Sequence, residues 1–183
     1  MPARRSSGTC SAFRLRIGPG WSLLSTDLDA RIVIKQAATS GPAPVELSFR
    51  NHRGVETMAP ADLVREADSA LTIREGIAFR LVRESDKPEE PNPFAELQGA
   101  REKPFPPEEI SARPFRRHPN GASSRTLAPA ETVSAFQLDL RTLFSIDRPG
   151  RYRLEITFDD LKARNGMPGK VATVFSVVAR KTE

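Results

Sequence analysis

The chain has 183 residues, of which 38% are hydrophobic and 28% are charged. This length suits one domain, or one domain with tails, and the apolar share is adequate for a core. No stretch approaches the roughly 18 to 20 apolar residues of a membrane span. The composition therefore excludes transmembrane, collagen-like and coiled-coil classes.

The formal net charge is +5, and much of it lies at the N-terminus. Residues 1–20 contain no acid and four arginines, which are Arg4, Arg5, Arg14 and Arg16. The rest of the chain has 24 basic and 23 acidic residues and is nearly neutral. We interpret residues 1–20 as a flexible basic leader and residues 21–183 as a single domain. Charges of alternating sign along this domain argue against specific nucleic-acid binding.

The N-terminus also bears on the compartment. Residues 1–9 are polar and basic, so the sequence as written has no signal peptide. The single cysteine, Cys10, has no partner for an internal disulfide. We expect a cytoplasmic protein by default, or a secreted one if translation starts elsewhere.

Apolar residues recur at every second position in the first half of the chain, as in half-buried strands. These sets are, in chain order, Leu28, Ala30, Ile32 and Ile34, then Val45, Leu47 and Phe49, then Ile77, Phe79 and Leu81. Between the second and third sets, Leu63, Val64 and Ala67 have helical spacing. We therefore expect one short helix or a loop over residues 60–70.

Residues 84–122 have a different character. Eight of the 16 prolines lie between Pro88 and Pro119. Proline has no backbone donor and a fixed φ, so this segment excludes a central strand. It predicts a long loop or insertion of polyproline-like character.

The C-terminal third has the clearest strand pattern. Two further alternating sets are Phe136, Leu138 and Leu140, and Tyr152, Leu154, Ile156 and Phe158. A final strand over 171–179 is apolar on both faces, which favours a central position in a sheet. About seven strands without βαβ alternation predict an all-β, antiparallel two-sheet sandwich.

Catalytic motifs are lacking from the sequence. It has no zinc, nucleotide-binding or hydrolase pattern, and we interpret His52 and His118 as solvated loop residues. The sequence thus predicts a protein that is not an enzyme and has no catalytic residues, metal or cofactor.

A repeated Pro-Phe pair marks the proline-rich segment, at Phe94, Phe105 and Phe115. These phenylalanines either anchor the loop on the sandwich or stay exposed as a partner-binding patch. Arginines flank the third pair. The candidate binding residues are therefore Phe94, Phe105, Phe115, Arg113, Arg116 and Arg117.

Residues 125–180 resemble the last strands of bacterial immunoglobulin-like sandwich domains. The resemblance is carried by the turn 127–131, the alternating strand 136–140 and the run 144–154, which ends in Asp-Arg-Pro-Gly-Arg-Tyr152-Arg-Leu. It implies a tyrosine corner at Tyr152, whose hydroxyl would bond to backbone near Asp147 or Arg148. Ala130 stands where the family pattern has glycine.

The resemblance implies a fold more than an activity, because such domains serve as adhesion modules, as accessory domains of secreted enzymes and as intracellular proteinase inhibitors. We expect a non-catalytic module that binds an unidentified protein partner through the proline-rich loop. The alternative is a proteinase inhibitor of the intracellular type that uses residues 103–119. An inhibitory loop must be exposed, extended and rigid, since pre-ordering lowers the cost of binding.

Overall fold

The structure is a computed structural model that describes residues 20–34, 37–67, 70–85, 107–119, 123–163 and 166–179. Most residues in these ranges lie in strands and only one helical turn is present, which confirms the predicted all-β class. The strands are β1 (Ser22–Leu23), β2 (Leu28–Ile34), β3 (Ala37–Ala38), β4 (Pro44–Asn51), β5 (Thr57–Pro60), β6 (Val64–Ala67), β7 (Ala70–Arg74), β8 (Ile77–Ser85), β9 (Glu108–Ile110), β10 (Arg116–His118), β11 (Ser124–Leu127), β12 (Thr132–Asp139), β13 (Gly150–Lys162) and β14 (Pro168–Val178). One helical turn, α1 (Leu140–Leu143), follows β12.

Two larger sheets make up most of the described chain. The four-stranded sheet has the order β1-β2-β4-β12, and the five-stranded sheet has the order β3-β14-β13-β8-β9. A three-stranded sheet, β10-β7-β6, and a β11-β5 pair complete the structure. All pairings are antiparallel except β3 with β14 and β10 with β7. The described residues form fourteen strands, whereas the sequence predicted about seven. The difference arises because strands of two to four residues are too short to show an alternating pattern in the sequence.

The two larger sheets pack face to face. The four side chains predicted to alternate along β13 all face inward and are at most 1% exposed; they are Tyr152, Leu154, Ile156 and Phe158. Across the interface Phe158 meets Phe49 of β4 at a ring-centroid distance of 5.8 Å. Phe79 of β8 meets Phe136 of β12 at the same distance. This interdigitation gives the sandwich-like core that the alternation predicts.

The short helix lies elsewhere than expected. Residues 64–67 form β6, which pairs with β7 and places Val64 opposite Ile73. The expectation of a helix or loop over this stretch is therefore wrong, because antiparallel pairing with the next strand along the chain outweighed a local 3.6-residue spacing. The helical turn follows β12 instead, where the Asp139 carboxylate accepts from the Arg141 N–H at 3.0 Å as an N-cap.

The proline-rich segment is described only over 107–119, and there it is not simply a loop. It contains β9 and β10, which are edge strands of their sheets. Edge positions suit this segment, because proline is tolerated where backbone donors face away from a ladder. The final strand, β14, lies inside its sheet between β3 and β13, as predicted. The leader before Gly20 lies outside the described residues.

In the part of the chain that the structure describes, no helix has the length and apolar character needed to cross a membrane.

Candidate functional site

Residues 107–119 bring the described candidate binding residues to one surface. β9 pairs with β8 at the edge of the five-stranded sheet. Next, Ala112 bridges Phe144, and the Arg113 N–H donates to the Leu143 carbonyl oxygen at 2.6 Å. β10 then runs parallel to β7. The segment is thus attached to the body at three places, which fixes the position of the side chains between them.

Ion pairs reinforce the first attachment. Glu108 lies 2.6 Å from Arg83, and Glu109 lies 3.0 Å from Arg80. The hydrogen bond from Arg80 holds the pKa of the Glu109 carboxyl below its ordinary value. Both carboxylates therefore form ion pairs with arginines of the neighbouring strand, β8.

Phe115 and Arg117 act mainly as structural anchors. Phe115 is half-buried and packs against the core. The Arg117 guanidinium lies 4.7 Å from the centroid of the Phe115 ring and donates to the carbonyl oxygens of Arg74 and Ile77. Of the two roles considered for this phenylalanine, its half-burial favours anchoring and its remaining exposure leaves an apolar contact surface.

Arg113 and Arg116 are exposed like Arg117, but their guanidinium groups do not bind backbone carbonyl oxygens of β7 or β8. The side chain of Arg113 reaches the hydroxyl of Ser145 at 3.3 Å. The guanidinium of Arg116 has no hydrogen-bond or ion-pair partner among the described residues. Phe94 and Phe105 lie outside the described ranges, so the group that the structure brings together is Arg113, Phe115, Arg116 and Arg117.

An open cleft of about 530 Å³ runs beside these residues, and we refer to it as the arginine cleft. Its lining residues come from the segment itself, from the three-stranded sheet and from α1; they are Glu66, Ala70, Leu71, Arg113, Pro114, Phe115, Arg116 and Thr142. Two guanidinium groups and one carboxylate give this lining a net positive charge. The apolar part of the wall is contributed by leucine, proline and phenylalanine.

Serine, histidine and aspartate do come together elsewhere, but without the geometry of a catalytic triad. The Ser123 hydroxyl donates directly to the Asp62 carboxylate. His118 uses its two ring nitrogens at 3.1 Å from the carbonyl oxygens of Asp62 and Pro119. A triad requires the histidine to take the serine proton. Here the Asp62 carboxylate, and not the histidine, accepts the hydrogen bond from the serine hydroxyl. The cluster therefore stabilises the 61–63 turn.

The interpretation of His52 as a solvated loop residue is wrong. Its side chain is 7% exposed, with Nδ1 3.2 Å from the Asp29 carboxylate and Nε2 2.9 Å from the Thr26 carbonyl oxygen. Asp29 also pairs with Arg50 at 2.5 Å. Trp21 covers this cluster, with the Arg50 guanidinium 4.6 Å from its ring centroid.

Sequence alone did not expose this cluster, since it depends on the register that sets Asp29 opposite Arg50. The available signal was an acid and a base at outward positions of two consecutive strands. In the described ranges no group of three or more histidine, cysteine, aspartate or glutamate side chains is placed to hold a metal ion.

No family model matches this chain, and no curated protein matches it. The fold and the arginine cleft therefore carry the functional conclusion.

Proposed function

We propose that this chain is a non-catalytic, immunoglobulin-like module that binds another protein through the arginine cleft. The order of the long strands supports the immunoglobulin-like part. β2, β4 and β12 correspond to strands A, B and E of such sandwiches, and β14, β13, β8 and β9 correspond to G, F, C and C′. The hydroxyl of Tyr152 in β13 donates to the Arg148 carbonyl oxygen, and a tyrosine corner of that fold would make the same kind of bond, which supports the proposal.

The arginine cleft is the observation that carries the binding function. It combines a half-buried aromatic side chain, Phe115, with exposed guanidinium groups at Arg113 and Arg116. Protein interfaces are enriched in aromatic residues and arginine, and their strongest contacts form around partly buried anchors. The attachments on either side of the segment hold this surface in place before a partner arrives, which lowers the entropy cost of binding.

Capture from a lysate of the source cells tests the proposal. Purified full-length chain is immobilised as wild type, as Phe115→Ala, and as the double variant Arg113→Ala/Arg116→Ala. We expect a discrete protein to be retained by wild type and reduced at least about tenfold by the double variant, because lost contacts at an interface centre cost on the order of 1 to 2 kcal/mol or more.

The matched control is Arg125→Ala. Arg125 is also exposed, but it lies on β11 and pairs with Glu131 at 3.3 Å. This variant keeps the partner if the cleft is the site. A capture profile that is identical for wild type, both cleft variants and the control overturns the proposal. Circular dichroism of each variant confirms that folding is unchanged.

The second candidate function is inhibition of a proteinase, and one observation favours it. Residues 111–114 are exposed and lie outside helices and long strands, while β9 and β10 hold them on both sides. That arrangement presents a pre-ordered, extended loop to an active-site cleft. A panel of serine and cysteine proteinases assayed with micromolar chain tests this candidate. Absence of inhibition across the panel removes it, whereas inhibition that is lost on substitution of Arg113 supports it over the first.

A further inference from the structure

We infer that the arginine cleft receives an acidic segment of the partner protein, with carboxylates at Arg113 and Arg116 and an apolar side chain against Phe115. This inference rests on the proposed function and names the chemistry of its partner. Three observations carry it: the state of the arginines, the charge of the lining and the state of the Phe115 ring.

Nine of the 15 arginines in the described ranges already have a carboxylate partner. These pairs are Arg50 with Asp29, Arg53 with Asp27, Arg65 with Asp62, Arg74 with Asp160, Arg80 with Glu109, Arg83 with Glu108, Arg125 with Glu131, and Arg151 and Arg153 with Glu84. Arg113 and Arg116 belong to none of them. In a chain where acids and bases are nearly balanced, this cleft is a place where guanidinium groups remain available to an outside carboxylate.

The charge of the cleft lining is the second observation. Arg113 and Arg116 outweigh the single carboxylate, Glu66, so the lining is net positive and attracts an anionic partner.

The lining favours a peptide over a nucleic acid. Base recognition on single strands relies on free aromatic faces for stacking, but one face of the Phe115 ring is covered by Arg117 at 4.7 Å. Leu71 and Pro114 supply an aliphatic wall that a leucine or phenylalanine side chain fills, while carboxylates accept the planar, two-pronged hydrogen bonds of arginine.

The test uses fluorescence anisotropy with three labelled peptides of the same length. The first alternates glutamate with leucine, the second has glutamine in place of glutamate, and the third has lysine there. We expect wild type to bind the glutamate peptide at least about tenfold more tightly than the glutamine peptide, since hydrogen bonds between charged groups are stronger than those between a charged and a neutral group. Arg113→Glu/Arg116→Glu is expected to lose this preference and to bind the lysine peptide instead. Arg125→Glu is the matched control and retains the preference of wild type.

Equal binding of the glutamate and glutamine peptides by wild type overturns the inference, and so does tighter binding of a single-stranded oligonucleotide than of the glutamate peptide. Capture from the lysate separates this failure from that of the proposed function. A partner lost from the alanine variants, without any preference for the glutamate peptide, leaves the protein-binding function standing and removes only the acidic segment. Unchanged capture removes the function itself.

Discussion

The hydroxyl of Tyr152 donates a hydrogen bond to the backbone carbonyl oxygen of Arg148, 2.8 Å away. The ring is buried and stacks on Phe175 of β14 at a centroid distance of 5.6 Å. One side chain therefore fastens the turn before β13 to the sheet that β13 and β14 form. The bond expected near Asp147 or Arg148 is confirmed at Arg148.

Removing only the hydroxyl isolates the contribution of this bond. Tyr152→Phe is expected to lower the free energy of unfolding by about 0.5 to 1.5 kcal/mol, because the ring still packs and only one hydrogen bond is lost. Tyr152→Ala also leaves a cavity and is expected to cost about 3 to 5 kcal/mol. Urea unfolding followed by circular dichroism gives both values. A phenylalanine variant as stable as wild type contradicts a role for the bond.

Ionisation of this side chain provides a pH-dependent prediction. Burial raises the pKa of the Tyr152 phenol above its ordinary value of 10.0. Only the ionised form is penalised, so the folded state holds its proton to higher pH than the unfolded chain does. The stability is therefore unaffected by this group below about pH 10 and falls as the pH rises through the interval up to the folded pKa.

The measurement is direct, because the chain has a single tyrosine. Phenolate absorbance near 295 nm follows Tyr152 alone in the native protein and in urea. We expect the native titration midpoint to lie above the midpoint in urea. Coincident midpoints would show that the phenol is solvated in the folded state.

The turn before β12 holds an alanine in a conformation that favours glycine. Ala130 has φ 63°, in the left-handed region, and its N–H donates to the Asn51 carbonyl oxygen at 3.1 Å. A Cβ atom in this region costs about 1 kcal/mol or more. We therefore expect Ala130→Gly to raise the free energy of unfolding by about 0.5 to 1 kcal/mol, once the added flexibility of the unfolded chain is subtracted.

Ala128 in the same turn is the matched control, since it is exposed and does not have a positive φ. Ala128→Gly relieves no strain, but it still makes the unfolded chain more flexible. It is therefore expected to lower the free energy of unfolding by about 0.5 to 1 kcal/mol. Thermal or urea unfolding of the pair decides the matter. The same sign for both substitutions would refute the strain argument.

Asn51 joins three segments from a fully buried position. Its side-chain amide N–H groups donate to the carbonyl oxygens of Val55, Leu127 and Ala128 at 2.8 to 3.1 Å, and its side-chain oxygen accepts from the Arg53 N–H at 2.8 Å. Asn51→Ala leaves several polar groups without partners. Each unsatisfied buried group costs about 1 to 3 kcal/mol, so we expect a loss of at least about 3 kcal/mol.

Asn51→Asp sharpens this prediction. It preserves the size of the side chain but turns a carboxylate toward three carbonyl oxygens, so it is expected to destabilise at neutral pH and to recover partly in acid, where the protonated carboxyl donates again. Ser48→Ala is the control, because Ser48 is buried on the same strand but has only a 3.5 Å contact to Glu46. Similar losses for Asn51→Ala and Ser48→Ala would contradict the joining role.

The candidate site was visible in part from the sequence. The arginines around Phe115 stand within five residues, so their proximity followed from chain connectivity. The sequence did not show which of these arginines bind other parts of the protein and which remain available to a partner. Arg117 is held by the carbonyl oxygens of Arg74 and Ile77, some 40 residues away, whereas Arg116 points to solvent from the same three-residue strand. Only the parallel pairing of β10 with β7 decides which arginine is structural and which is available.

The sequence by itself determined the strand class and the inward faces. In β13 the alternation of Tyr152 through Phe158 is a property of the backbone, since successive side chains point to opposite sides of any strand. Tertiary structure alone decided the fate of stretches whose local signal is weak or ambiguous. Residues 64–67 became a strand because β7 supplied backbone partners, and His52 became buried because β2 placed Asp29 beside it. The energies of such contacts depend on which residues the strand register places opposite one another, and no local pattern encodes that register.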